Sequence, residues 1–179
     1  MPGTMRTLIT SSRHTAYSGM LPGWMAGIYR PDELLIDLAP LAERAGAELV
    51  LADVVGLDAV GQTLRLSTGG DTAFDLLSLA TGGDTDTAAL AGLGERLLPV
   101  RPVNVFMDRW TQFAGQQSAA SKPVVAIVGG GAGGVELALA ARAALRSICA
   151  APRIVLIAGP GGVLPGRPTL LIARSVVCT

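Results

Sequence analysis

Gly129, Gly131 and Gly134 stand at the spacing G-x-G-x-x-G, directly after the apolar run Val124–Val128 and directly before an Ala-rich helical pattern that begins at Val135-Glu136-Leu137. Strand, glycine turn and helix in that order is the context in which such glycines cradle a dinucleotide pyrophosphate. Gly129 permits the tight turn, Gly131 lets backbone approach the pyrophosphate, and Gly134 lets the helix pack close to the strand. The helix N-terminus adds free N–H groups and a partial positive charge. The competing reading is a glycine-rich strand–helix turn with no ligand. One element of the pattern is missing. An acidic residue about 20 positions on would bind the ribose 2′-OH, yet the second expected strand ends in Ala158-Gly159-Pro160. Arg153 begins that strand, too early for a 2′-phosphate, so NAD and NADP both stay open. Glu136, one turn into the helix, suits a helix N-terminus electrostatically.

The elements that must position these residues can be read along the chain. Arg6–Thr10 reads as a strand, and Ser11–Gly27 as a loop with unusually many aromatic and Met residues. Arg30–Ala45 reads as a helix opened by Pro31 and ended by Gly46, with Pro40 a point where it breaks. Ala47–Leu57, Thr63–Ser67 and Ala73–Ala80 read as strands, the last one buried. Gly69-Gly70-Asp71 is the turn before it and Thr81-Gly82-Gly83 the turn after it. Val103–Ala114 reads as a helix with Asn104 as its cap, and Gln116–Pro123 as a polar linker. The helix after the glycines covers roughly Val135–Cys149 and the next strand Arg153–Ala158. A second apolar run follows in the Gly- and Pro-rich tail. The chain thus divides near residue 120, and its second part carries about two strands where a doubly wound sheet needs several more.

Composition narrows the function. Half of the 179 residues are hydrophobic, which is enough to build a core and too much for a disordered chain. Fourteen basic residues balance fourteen acidic ones, so nothing electrostatic argues for nucleic acid. Glu136, Arg142 and Arg146 interrupt the longest apolar stretch, which excludes a membrane span there. Arg6, Arg13 and His14 break up any signal-peptide pattern. Cys149 and Cys178 form no CxxC, and a cytoplasmic, reduced setting fits them. P-loop and zinc-ligand patterns are missing. His14, Trp24, Met20 and Met25 read as loop and packing residues, and Asp84 and Asp86 as solvated.

Several strings go further when taken together. Tyr17-Ser18-Gly19-Met20-Leu21-Pro22-Gly23 is followed by Ala26-Gly27-Ile28-Tyr29. Ile36-Asp37-Leu38, Ala45-Gly46-Ala47, Phe74–Leu79, and Val100–Val103 with Phe106 and Trp110 come next in order. In this order they resemble the FAD-dependent pyridine nucleotide-disulfide oxidoreductase-like family. The similarity is greatest to its NADH-dehydrogenase-like flavoproteins, some of which occur with selenide, water dikinase. Ala80-Thr81-Gly82 is similar to the ATG-type turn that lies against FAD in such proteins.

The resemblance implies an α/β, FAD/NAD(P)-binding, Rossmann-like architecture with two dinucleotide sites, here incomplete. Residues 1–120 would belong to the FAD domain, without its first glycine motif, and 121–179 would open the NAD(P) domain. FAD would be met by Tyr17, Ser18, Gly19, Met20, Leu21, Pro22, Thr81 and Gly82; NAD(P)H by Gly129, Gly131, Gly134 and, facing the nicotinamide, Glu136. The implied activity passes hydride from the nicotinamide to the flavin and electrons on to a quinone or another small acceptor. No cysteine lies between Met1 and Ser147, so a dithiol relay near the flavin is excluded. The alternative is a truncated, non-catalytic fragment or dinucleotide-binding module. A homo-oligomer, a complementing chain and peripheral membrane association stay open.

Overall fold

The computed structural model describes residues 4–166. Among them nine strands occur: β1 Thr7–Thr10, β2 His14–Ala16, β3 Leu35–Asp37, β4 Glu48–Leu51, β5 Val54–Asp58, β6 Thr63–Leu66, β7 Asp71–Ala73, β8 Val124–Val128 and β9 Arg153–Ile157. The α-helices are α1 Leu21–Met25, α2 Pro31–Leu34, α3 Leu38–Arg44, α4 Val103–Gly115 and α5 Ala132–Arg146. The chain is therefore mixed α/β. It forms two compact units interleaved in sequence, residues 4–17 with 35–84, and 18–34 with 85–166.

In the first unit β1 and β4 pair in parallel, with Thr7 opposite Glu48 and Thr10 opposite Leu51. β2 and β3 pair antiparallel. β5, β6 and β7 form an antiparallel meander with an irregularity between Val54 and Gly56. Ala52, Leu64 and Leu66 are buried, and Ile9, Val50, Phe74 and Leu77 pack against them. This ties the parallel pair to the meander by apolar contact, the main favourable term in such small layers.

Several sequence expectations change here. The stretch expected as one strand over Ala47–Leu57 is two, β4 and β5, because the chain turns at Ala52-Asp53, where Ser67 Oγ takes the Asp53 N–H at 2.9 Å. The helix expected over Arg30–Ala45 is divided by β3 rather than broken at Pro40. Pro40 lies in the first turn of α3, where its missing N–H costs nothing, and Asp37 caps that helix through the Ala39 N–H at 3.0 Å. The buried strand expected over Ala73–Ala80 is not one. Only Asp71–Ala73 enters the ladder; Phe74 and Leu77 turn to the core, while Leu76 and Leu79 stay exposed. No described strand pairs with residues 74–80.

The second unit holds β8–α5–β9, a parallel βαβ unit in which Val124 faces Arg153 and Val128 faces Ile157. Helix α5 buries Val135, Leu137, Ala138, Ala140, Ala141 and Leu145, a stripe at helical spacing. Helix α1, inside the segment expected as a loop, buries Leu21, Trp24 and Met25 and lies against α5. Helix α4 buries Phe106, Met107 and Trp110, and the Phe106 and Trp110 rings stack with centroids 6.4 Å apart. Its N-cap is Pro102, with no side-chain cap, so Asn104 sits inside the helix and is not the cap the sequence suggested. Helix α5 starts three residues earlier than the sequence reading, at Ala132. The second apolar run of the tail and Cys178 lie outside the described residues.

Candidate functional site

The glycine turn closes β8 onto α5 by geometry that needs glycine at defined points. Gly129 has φ +127°, a conformation that side chains avoid. Its N–H donates to the Ile157 carbonyl at 2.8 Å, which extends the β8–β9 ladder by one bond. A Cβ on Gly134 would run into the carbonyl of Gly129, so the first turn of α5 can press against the strand end only if residue 134 has no side chain. Gly131 is different. It caps α5 in extended backbone, φ −73° and ψ 178°, and a Cβ there would meet nothing within 4 Å. The first intrahelical bond runs from the Val135 N–H to the Gly131 carbonyl at 3.1 Å, which leaves the first-turn N–H groups ahead of the ladder. Glu136 is exposed one turn in.

The sequence reading passed over Gly130. A Cβ on it would lie 2.5 Å from the Gly162 carbonyl oxygen and 2.7 Å from the Ala158 Cβ. The Gly130 carbonyl accepts the Leu164 N–H at 2.7 Å. The segment after β9 thus folds back onto the glycine turn. A third consecutive glycine in Gly129-Gly130-Gly131 was the available signal.

The other expected site residues divide between the units. Ser18–Met20 form a 3-10 turn, exposed at Ser18 and Gly19 and half-buried at Met20, that leads into α1, where Leu21 is buried and Pro22 half-buried, in the same unit as the glycine turn. Gly23, next in that string, is explained by packing: a Cβ would meet the Tyr29 ring at 2.5 Å. Tyr17, Thr81 and Gly82 belong to the first unit and are exposed. Gly82 has φ +75°. His14 lies in β2, exposed. Among the described residues no group of three or more His, Cys, Asp or Glu side chains could hold a metal ion, and no helix is long and apolar enough to cross a membrane. Cys149 is a buried free thiol at the end of α5.

Solved structures carry the same arrangement. Reduced CoADR-RHD from Bacillus anthracis matches with a TM-score of 0.76 at 18% identity, over 97% of this chain and 31% of its own. The fold is that of these reductases. A NAD-dependent persulfide reductase from A. fulgidus matches with a TM-score of 0.68 at 15% identity, over 80% of this chain and 28% of its own. A ferredoxin reductase for the CYP199A2 system from Rhodopseudomonas palustris matches with a TM-score of 0.66 at 21% identity, over 86% and 36%. The chain therefore spans about a third of the length of these structures. No protein-family model and no curated protein sequence matches it.

Proposed function

We propose that this chain is part of an FAD-dependent NAD(P)H oxidoreductase of the NADH-dehydrogenase-like kind. Residues 1–120 would contribute to an FAD domain and 121–179 would open a NAD(P) domain. The observation that carries the reading is Gly131. Packing accounts for the absence of a side chain at Gly134, and backbone conformation accounts for it at Gly129. At Gly131 neither does, and the open space in front of it is what a pyrophosphate would fill.

The tasks of the chain's own residues follow. Gly131 and the first turn of α5 would hold the pyrophosphate by backbone N–H groups and the helix dipole. Glu136 would face the nicotinamide end. By the family resemblance, the segments Tyr17–Pro22 and Thr81-Gly82 are each candidates for contact with FAD. FAD, when bound, accepts a hydride and returns electrons to a small acceptor, and the protein positions it. A small electron carrier fits the ferredoxin reductase among the matching structures, a quinone fits the family resemblance, and a cytoplasmic setting suits both.

The test is spectroscopic. The chain, expressed and supplied with FAD, is expected to turn yellow and to be bleached by NADH or NADPH under anaerobic conditions. Binding of the nicotinamide nucleotide without flavin would favour the second reading, a dinucleotide-binding module, because β8, α5 and β9 all lie in one unit. Failure to bind either cofactor rejects the flavoprotein and the dinucleotide-binding module for this chain and leaves the truncated, non-catalytic fragment.

A further inference from the structure

We infer that Gly130 is a positioning residue of the dinucleotide site. It clasps the segment Gly159–Leu164 onto the glycine turn, so that this segment forms the wall beside the adenosine ribose. The inference rests on the dinucleotide reading above and extends it to residues that the G-x-G-x-x-G pattern does not include.

Three observations meet at one point. The space a Gly130 side chain would need is occupied by the Gly162 carbonyl and the Ala158 methyl, at 2.5 Å and 2.7 Å from the Cβ position. The Leu164 N–H donates to the Gly130 carbonyl at 2.7 Å. Leu164 itself has φ +52°, in the left-handed region that a branched side chain adopts only at a cost. Backbone strain of this kind persists where the surroundings hold it in place, and such places cluster at ligand sites.

The location gives the clasp its task. In a strand–glycine turn–helix–strand unit the ribose next to the pyrophosphate lies by the end of the second strand. Here that end is Ile157-Ala158, and from Ala158 to Gly166 the chain has no ionisable side chain. A wall made of backbone and small apolar groups recognises the ribose by shape and backbone hydrogen bonds. Its placement must then come from something rigid, and the Gly130–Leu164 clasp supplies that. Preorganised walls of this type act mainly on affinity.

The experiment measures binding of ADP-ribose and NADH to the full chain by calorimetry, beside thermal unfolding. Gly130→Ala is expected to weaken both ligands by about tenfold or more, as misplaced contacts do. Gly115→Ala, in a glycine of the same unit with nothing within 4 Å of its Cβ position, should stay within about twofold. Leu164→Gly keeps the N–H and relieves the left-handed conformation, but it frees the backbone at the end that the clasp must hold rigid, so the wall loosens. This variant should leave the unfolding midpoint equal or higher while ADP-ribose binding falls by about fivefold or more, a separation that a purely structural role would not produce. Wild-type binding retained in both Gly130→Ala and Leu164→Gly overturns the clasp alone. If Gly130→Ala does not fold, Leu164→Gly decides. Absence of ADP-ribose binding to the wild-type chain overturns the dinucleotide reading and the clasp with it.

Discussion

The carbonyl oxygen of Gly129 occupies the space into which a side chain on Gly134 would grow. Both partners of that contact are backbone, so neither can swing away as the tip of a flexible side chain could. Gly134→Ala must therefore shift the first turn of α5 away from β8, and overpacking of this type costs about 1–3 kcal/mol. Chemical denaturation is expected to show that loss with or without nucleotide present. Stability equal to wild type would mean that the strand and helix are not in contact here.

Gly131→Ala should behave in the opposite way. Its backbone angles suit alanine, and no protein atom lies within 4 Å of the added methyl. Alanine is a poorer N-cap than glycine but loses less entropy on folding, and the two effects offset to within about 0.5 kcal/mol. Nucleotide binding, measured by calorimetry with NADH, should fall by about tenfold or more because the methyl enters the phosphate space. Binding unchanged in this variant would leave the glycine turn without a ligand role.

The legible parts of this chain were those in which local signals agree. Val124–Val128, the glycines and the Ala-rich stripe of α5 each point to strand, turn and helix, and the parallel β8–α5–β9 unit is there. Gly69 and Gly70, with φ +83° and +101°, form the expected turn. Where long-range contacts decide, the signals misled. Phe74–Leu79 has strand composition, yet its inward residues, Phe74 and Leu77, are three apart, a spacing that a ladder strand does not produce. The Ser11–Gly27 segment looked like a loop because Pro22 and Gly23 disfavour helix. Helix α1 forms there because Leu21, Trp24 and Met25 are buried and α1 lies against α5, and tertiary packing outweighs propensity. The glycine run marks Gly130 but not its task, for a related reason: its partners, Gly162 and Leu164, are more than thirty residues away.

The pairing of β2 with β3 carries a pH signature. Arg13 donates from Nε and a terminal guanidinium nitrogen to the two Asp37 carboxylate oxygens, at 2.9 and 2.7 Å. Those bonds, and then the Ala39 N–H, lower the Asp37 carboxyl from 3.8 to about 2. A lowered folded-state value means that the stabilisation is present above the ordinary carboxylate range and is lost as pH falls toward about 2. Asp37→Asn keeps an acceptor for the Ala39 N–H and removes the charge together with one of the two acceptors for Arg13. Urea midpoints of wild type and Asp37→Asn should therefore differ at neutral pH and converge as pH drops from about 4 to about 2. A difference that does not change with pH would mean that the pair contributes nothing through its charge. The effect is expected to shrink in added salt, because both side chains are partly exposed.

Leu145 tests whether the last turn of α5 is anchored as firmly as its first. Its side chain is fully buried, and its carbonyl accepts the Cys149 N–H at 2.7 Å, so the turn that leads toward β9 is built on it. Leu145→Ala removes the branched end of the side chain without touching that hydrogen bond. The loss is then a cavity plus the transfer free energy of the deleted groups, about 2–5 kcal/mol. Such a change is expected to lower the unfolding midpoint sharply and to expose the Cys149 thiol to a thiol reagent sooner than in wild type, because that thiol is buried near the same helix end. Reactivity at the wild-type rate, with a loss of stability under about 1 kcal/mol, would show that the end of α5 is not packed in solution. A large loss of stability in Leu145→Ala, beside a Gly131→Ala of unchanged stability and weakened NADH binding, would separate the two ends of one helix by task, packing at its C-terminus and ligand binding at its N-terminus.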